Sequence, residues 1–340
     1  MIQVTLFISK SDSRLEMITS RLNQVQAEHP HTLHIIDIER EAVLTDEFAE
    51  KAPVLDIGVY RLIGTFELKE IRFAFQKAKS RLQEAQAKGN DVLAQRITEP
   101  LQMTKSDRVS HWFSNHYMML VNGFMFLYVF LALLAPGLMK IGWETPAKVI
   151  YRVYSPLCHQ LAYRSFFLFG EQAYYPRELA NIEGVITYGK VTGFHEHDVN
   201  TARAFVGNEQ LGFKTALCQR DLAIYGLIFV FGLIFSSSGR KIKPLPWYVW
   251  LLLGIGPIGL DGFSQLLSQT GLALFSWIPL RESTPLFRVV TGGLFGLTSA
   301  WFGFPFLEES VKENRRDMEL KTAIVSQIDR QTGQQTDQQT

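Results

Sequence analysis

Tyr154-Ser155-Pro156-Leu157-Cys158-His159-Gln160 and Ala216-Leu217-Cys218-Gln219-Arg220-Asp221 hold the two cysteines of this 340-residue chain. Each stretch lies beside apolar sequence long enough to enter a membrane, so reading them decides the fold. Residues 117–138 are predominantly apolar and long enough to span as a helix. Residues 222–235 form a shorter core that spans once it is extended back over 218–221 and forward to Ser238. Residues 246–267 give a third span and residues 286–307 a fourth. Residues 149–170 carry apolar faces interrupted by Arg152, His159, Gln160 and Arg164. This predicts an amphipathic helix lying on or dipping into the outer leaflet, in preference to a fifth span. Residues 171–217 read as a polar excursion with β-hairpin pieces near 173–175 and 211–216.

Glycines punctuate the last two spans: Gly254, Gly256, Gly259 and Gly262, then Gly292, Gly293 and Gly296. Small residues at such spacing let helices approach closely in lipid. Basic residues set the expected orientation. Lys105 and Arg108 precede the first span, Arg240, Lys241 and Lys243 separate the second and third, and Lys312, Arg315 and Arg316 follow the fourth. With four spans all three groups share one side, which predicts cytoplasmic N- and C-termini and an integral position in the cell membrane. Loops 139–217 and 268–285 then lie outside.

The first hundred residues are charged and polar by comparison. The N-terminal MIQVTLFISKSD has no basic n-region and only a short apolar run, so the expectation is a domain that stays in the cytoplasm. The 34 basic and 33 acidic residues nearly balance, which gives no reason to expect a nucleic-acid partner. Residues 2–9 read as a buried strand and 13–28 as a helix with Leu15, Ile18, Leu22 and Val25 on one face, capped by Asp12. A strand at 32–38, a short helix at 45–51, a hairpin over 53–63 and a long helix from Phe66 follow. The predicted order is βαβαββα, an α/β domain over 1–92. A polar helical linker, 93–116, is broken by Pro100. It leads to the all-α membrane domain, 117–307, and a tail, 308–340, whose end QIDRQTGQQTDQQT is low in complexity and expected to be disordered.

The stretch VTLFISKSDSRLE resembles the start of a glutaredoxin-like domain, Ala52-Pro53-Val54-Leu55 resembles that fold's cis-proline strand, and Gly64-Thr65-Phe66-Glu67-Leu68 its last turn. The resemblance implies a thioredoxin-like fold over about ninety residues. The family's Cys-x-x-Cys would fall near Asp12–Glu16, where this chain has no cysteine, so thiol redox chemistry is excluded there. A docking module for a cytoplasmic protein partner is the remaining role. His29, His31 and His34 read as surface residues.

With this topology several uncommon residues reach one level of the bilayer. Cys158 and His159 come from the outer helix, Cys218, Arg220 and Asp221 from the mouth of the second span, Asp261 and Gln265 from the third, and Arg288 from the fourth. Ionisable groups in a membrane pair with each other, and Asp261 with Arg288 is the expected pair. Four motifs in order, YSPLCHQLxxRSFFLFG at 154–170, CQRDLAIYG at 218–226, IGLDGxxQ at 258–265 and RVVTGGLxG at 288–296, resemble the membrane-protein family catalogued as domain of unknown function 2085. The family brings no activity with it. It implies a set of positions: Cys158, His159, Gln160, Arg164, Cys218, Arg220, Asp221, Asp261, Gln265 and Arg288.

Three chemistries fit the cysteines. A structural disulfide would close a loop of 60 residues and stabilise by roughly 4 kcal/mol in the chain-entropy model. A metal site would take Cys158, His159 and Cys218, completed by water, Asp221 or a loop histidine, and would suit zinc or copper. A redox dithiol would need a thiolate favoured by Arg220 or His159. His195-Glu196-His197-Asp198 reads as a solvated loop. No nucleotide-binding or hydrolase motif is present. Three functions remain open: a membrane protein with this Cys/His-centred site, a small-solute or ion transporter using Asp261 and Arg288, or an assembly factor acting through the soluble domain.

Overall fold

The computed structural model describes residues 1–270 and 277–337. The chain divides into two compact units, one of residues 1–115 with 311–340, the other of residues 116–310.

In the first unit, β1 (Ile2–Ile8), α1 (Arg14–Val25), β2 (His31–Asp37), α2 (Ala42–Phe48), β3 (Val54–Ile57), β4 (Tyr60–Ile63) and α3 (Leu68–Ala87) follow the order expected from the sequence. They are followed by α4 (Asp91–Thr98), which stops before Pro100. The sheet order is β2-β1-β3-β4, with β1 and β2 parallel and the other pairs antiparallel. Alternation along β1 sends Val4, Leu6 and Ile8 to one face and Phe7 to the other. The first face packs on Ile18, Leu22, Ile71, Phe75 and Ile97. The N-cap position of α1 is Ser13, which makes no side-chain cap hydrogen bond, and not the expected Asp12; the Asp12 carboxylate, one residue earlier, accepts from Arg14 N–H at 2.9 Å.

Two further expectations for this unit change. His31 and His34 are buried: the His31 ring lies 4.9 Å from that of Phe75, and His34 Nε2 pairs with Gln3 at 2.9 Å. Burial holds both below the usual histidine range. Disorder was expected over 327–340, and residues 327–337 are instead the last turns of a helix. Helix α12 (Pro285–Asp337) carries Ala323, Ile324 and Ile328 onto the second face of the sheet, against Phe7, Ile36, Ile38 and Phe48. Gln327 and Gln331, one helical turn apart, hydrogen-bond the open edge of β2. Gln327 accepts from Asp37 N–H at 2.9 Å and donates to Asp37 C=O at 3.0 Å; Gln331 does the same at Ile35. An edge strand's unpaired backbone groups are thereby satisfied by side chains. Residues 338–340 lie outside the described residues.

The second unit contains most of α5 (Lys105–Lys140), then α6 (Glu144–Tyr154), β5 (Ser165–Leu168), α7 (Tyr188–Thr192), α8 (Val199–Ala204), β6 (Gly207–Asn208), β7 (Gly212–Cys218) and α9 (Gln219–Ser237). A short helix α10 (Trp247–Val249) continues through a π-helical turn (Trp250–Ile255) into α11 (Gly256–Gln269). Among the described residues, four helices are long and apolar enough to cross a membrane: Lys105–Lys140, Gln219–Ser237, Trp247–Gln269 and Pro285–Gly333. Phe124, Leu127, Leu252, Leu260 and Phe263 on them are exposed. Such apolar patches are stable against lipid and not against water.

The amphipathic helix expected over 149–170 is shorter. It ends at Tyr154; Ser155 still has helical geometry, but Pro156 has no N–H to continue the hydrogen-bond ladder. Residues 165–168 are a strand instead, in a small antiparallel sheet of order β5-β7-β6. Residues 173–175 are not a strand, although Ala173 C=O accepts from Phe167 N–H at 2.8 Å. The loop expected over 268–285 lies partly outside the described residues. Glycine spacing matters most on α12. A side chain at Gly292 or Gly296 would meet the backbone of Arg220 or Ile224 on α9, so these two helices touch at glycine. On the third span a side chain at Gly254 would crowd Thr298, one at Gly262 would just touch the Arg220 side chain, and Gly259 faces open space.

Candidate functional site

The start of α9, the end of α11, the start of α12 and the loop after α6 converge at one end of the helical unit. Of the ten residues the sequence singled out, all but Asp261 line a single cleft of about 270 Å³.

Alternating burial shapes the 158–160 loop: Cys158 and Gln160 point inward while His159 is exposed. Gln160 adopts φ 53°, a left-handed conformation, and is held there from several sides. Its side-chain amide donates to Tyr151 C=O at 2.9 Å and Ala216 C=O at 3.0 Å. Its own carbonyl accepts from Lys214 Nζ at 2.7 Å. Lys214 is fully buried in β7 and also donates to Arg203 C=O at 2.7 Å. Burial pulls its ammonium down to about 7.

This brace delivers Cys158 to the N-terminus of α9. Cys218 N–H donates to Cys158 Sγ at 3.3 Å, and Asp221 N–H donates to Cys218 Sγ at 3.5 Å. Cys218 stands at the position before the first turn of α9. Both thiols are free. One ligand atom each from Cys158, Cys218 and Asp221 lies within 4.8 Å of the others. His159, the third ligand expected from the sequence, is replaced in this cluster by Asp221. The thiol–thiol interaction holds Cys158 below the usual cysteine range, and the same interaction together with burial holds Cys218 above it.

The expected Asp261–Arg288 pair is not formed. Asp261 is buried and bound by Arg220, by Arg281 at 2.7 Å and by the Ser283 hydroxyl at 2.6 Å. Arg288 pairs instead with Glu282, a buried carboxylate on the connection into α12. Arg164 reaches the same oxygen of Glu282 at 3.0 Å, and Arg177 the other at 3.3 Å. Burial pushes Glu282 up, but these three guanidiniums outweigh it and hold the carboxyl below its usual range. Gln265 accepts from Ser283 N–H at 3.3 Å, which fixes the same connection. Glu282, Arg281 and Arg177 were not singled out from the sequence. They lie in loops with no periodicity to mark them.

The His195–Asp198 stretch is used locally. Glu196 accepts backbone N–H groups of Glu178 and Gly189, and Asp198 caps α8.

The apolar helices and this end-on polar cluster define an integral membrane protein of uncharacterised activity. Residues 201–302 match the model of a family described as a predicted membrane protein (DUF2085). The match takes in Cys218, Asp221, Asp261 and Arg288 but begins after the Cys158 motif. An uncharacterized protein of Methanocaldococcus jannaschii, MJ1492, is 25% identical over 205 residues, covering 58% of this chain and 95% of that protein. No solved structure matches.

Proposed function

We propose that this membrane protein binds a soft transition-metal ion, zinc or copper, through Cys158, Cys218 and Asp221. The observation that carries the reading is the clustering of two sulfurs and a carboxylate oxygen within 4.8 Å, at the wall of an open cleft. Thiolates are soft ligands, and two thiolates with one carboxylate leave a fourth tetrahedral position facing the cleft. The orientation that follows from the basic loops puts this site on the outer side of the membrane. The first unit, with its β2-β1-β3-β4 sheet and no cysteine, supports a thioredoxin-like docking module without redox chemistry.

The test is metal analysis of the full chain, purified in detergent without chelator or reductant. One zinc or copper per chain, absent from both Cys158→Ser and Cys218→Ser, is the expected result. A chain two hydrogens light and free of metal would instead be a disulfide, and the metal reading would fall.

A further inference from the structure

Five arginines surround the polar cluster, and two buried carboxylates answer them. Glu282 is shared by Arg164, Arg177 and Arg288, while Asp261 is shared by Arg220 and Arg281. Among the described residues these five make no other ion pair. Residues 271–276, Gly-Leu-Ala-Leu-Phe-Ser, bring no charge. The excess is three positive charges, and Asp221 on the cleft wall offsets one. A zinc ion held by two thiolates and Asp221 would leave the same excess of two, so the metal reading does not remove it.

The imbalance sits where solvation is poor. The side chains of Arg288 and Arg177 are at most 9% exposed. Arg288 and Arg164 converge on one oxygen of Glu282, which brings two like charges together. Buried charge without a partner is strongly destabilising. The donors are also underused. A guanidinium carries five N–H groups. Among the described residues Arg220 meets a protein acceptor through Nη2 alone, on Asp261, and its buried Nε has no hydrogen-bond acceptor. Beyond Glu282, among the described residues Arg288 reaches only Tyr163 C=O and Gln219 Oε1, both at 3.5 Å, the limit of a hydrogen bond. Arg164, Arg220 and Arg288 all line the 270 Å³ cleft, which has room for a tetrahedral anion and a substituent.

We propose that this cleft binds a phosphate group on the guanidiniums of Arg164, Arg220 and Arg288, either as free phosphate or as the headgroup of an anionic lipid. Arginine forks match phosphate oxygens in pairs, and an anion of charge −2 cancels the excess. The site is independent of metal at Cys158 and Cys218.

The experiment uses the full chain in detergent. Inorganic phosphate is titrated by calorimetry, and phosphatidic acid is compared with phosphatidylcholine by native mass spectrometry. Saturable phosphate binding, or a retained adduct specific to phosphatidic acid, supports the site and tells the two sources apart. Arg164→Gln and Arg220→Gln should each weaken the retained ligand about tenfold or more. Arg164→Lys, which keeps the charge and loses the fork, should weaken it less. Thermal unfolding without ligand checks that the variants fold; Arg164, the more exposed of the pair, remains informative if Arg220→Gln does not. A Cys158→Ser/Cys218→Ser double variant should still bind phosphate, even if it has lost a metal. The proposal is overturned if neither ligand binds. It is also overturned if Arg164→Gln binds as the wild type does, or if only the cysteine variant loses binding.

Discussion

The backbone N–H of Cys218 donates to Sγ of Cys158 at 3.3 Å, across 60 residues of chain. The contact joins the loop after α6 to the first turn of α9 and brings Asp221 within ligand distance of both sulfurs. It makes Asp221, not His159, the third member of the cluster. Asp221→Asn should therefore lower zinc affinity by about tenfold or more, while His159→Ala leaves it unchanged. Competition with a chromophoric chelator measures both; the reverse ranking would return the site to a Cys-His-Cys set.

Asp261 holds Arg220 and Arg281 together. Asp261→Asn should cost about 3–5 kcal/mol, because two arginines lose their buried counter-charge. Exchanging charges with Asp261→Arg and Arg288→Asp should restore nothing, since those residues do not pair. Unfolding in mixed micelles reads the stability, and recovery in the double variant would refute these pairings.

Gly296 and Gly259 should respond differently to one methyl group. A Cβ at Gly296 meets the carbonyl of Ile224, whereas at Gly259 it meets nothing within 4 Å. Gly296→Ala should force α9 and α12 apart and lower the thermal midpoint. Gly259→Ala should be neutral or slightly stabilising, because alanine favours helix by about 1 kcal/mol over glycine.

Lys214 gives the fold a dependence on pH. Its folded-state value near 7 lies below the ordinary 10.5. Between the two the unfolded state binds the extra proton, so stability should rise with pH across that window and fall as pH drops toward 7. The gain is on the order of a few kcal/mol. Lys214→Met should flatten the dependence and also loosen the Gln160 turn. Unfolding midpoints at pH 7, 8.5 and 10 test this; a slope shared by variant and wild type would assign it to another group.

In the first unit, Gln327 seals the edge of β2. Gln327→Ala should accelerate hydrogen exchange at the Asp37 amide while leaving β1 protected. Ile328→Ala, which opens a cavity against the second face of the sheet, should cost about 3 kcal/mol. Equal exchange in wild type and both variants would mean that the tail does not cover the sheet in solution.

Local patterns made much of this legible. Apolar runs of membrane length marked the four helices, and alternating residues in 2–8 with a period-3.6 face in α1 gave the order of the first unit. Nine of the ten residues singled out from the sequence line one cleft, and the tenth, Asp261, binds Arg220. The end of the tail, 327–340, was read as disordered because it is glutamine-rich and low in complexity. The signal was in its spacing: Ile324, Gln327, Ile328 and Gln331 recur on one helical face, and a glutamine can bind a strand edge as well as solvent. His31 and His34 were misread because their partners are distant in sequence: the His31 ring lies against that of Phe75, and His34 pairs with Gln3.

Sequence alone determined which segments are helical and apolar enough for lipid, and the βαβαββα order of the first unit. These follow from periodicity and length, which are local. Tertiary structure alone decided the partners: Asp221 with the two cysteines, Asp261 with Arg220 and Arg281, Glu282 with three arginines. Coulomb attraction does not distinguish one arginine from another, so each pairing depends on where the loops after α6 and α11 place their side chains.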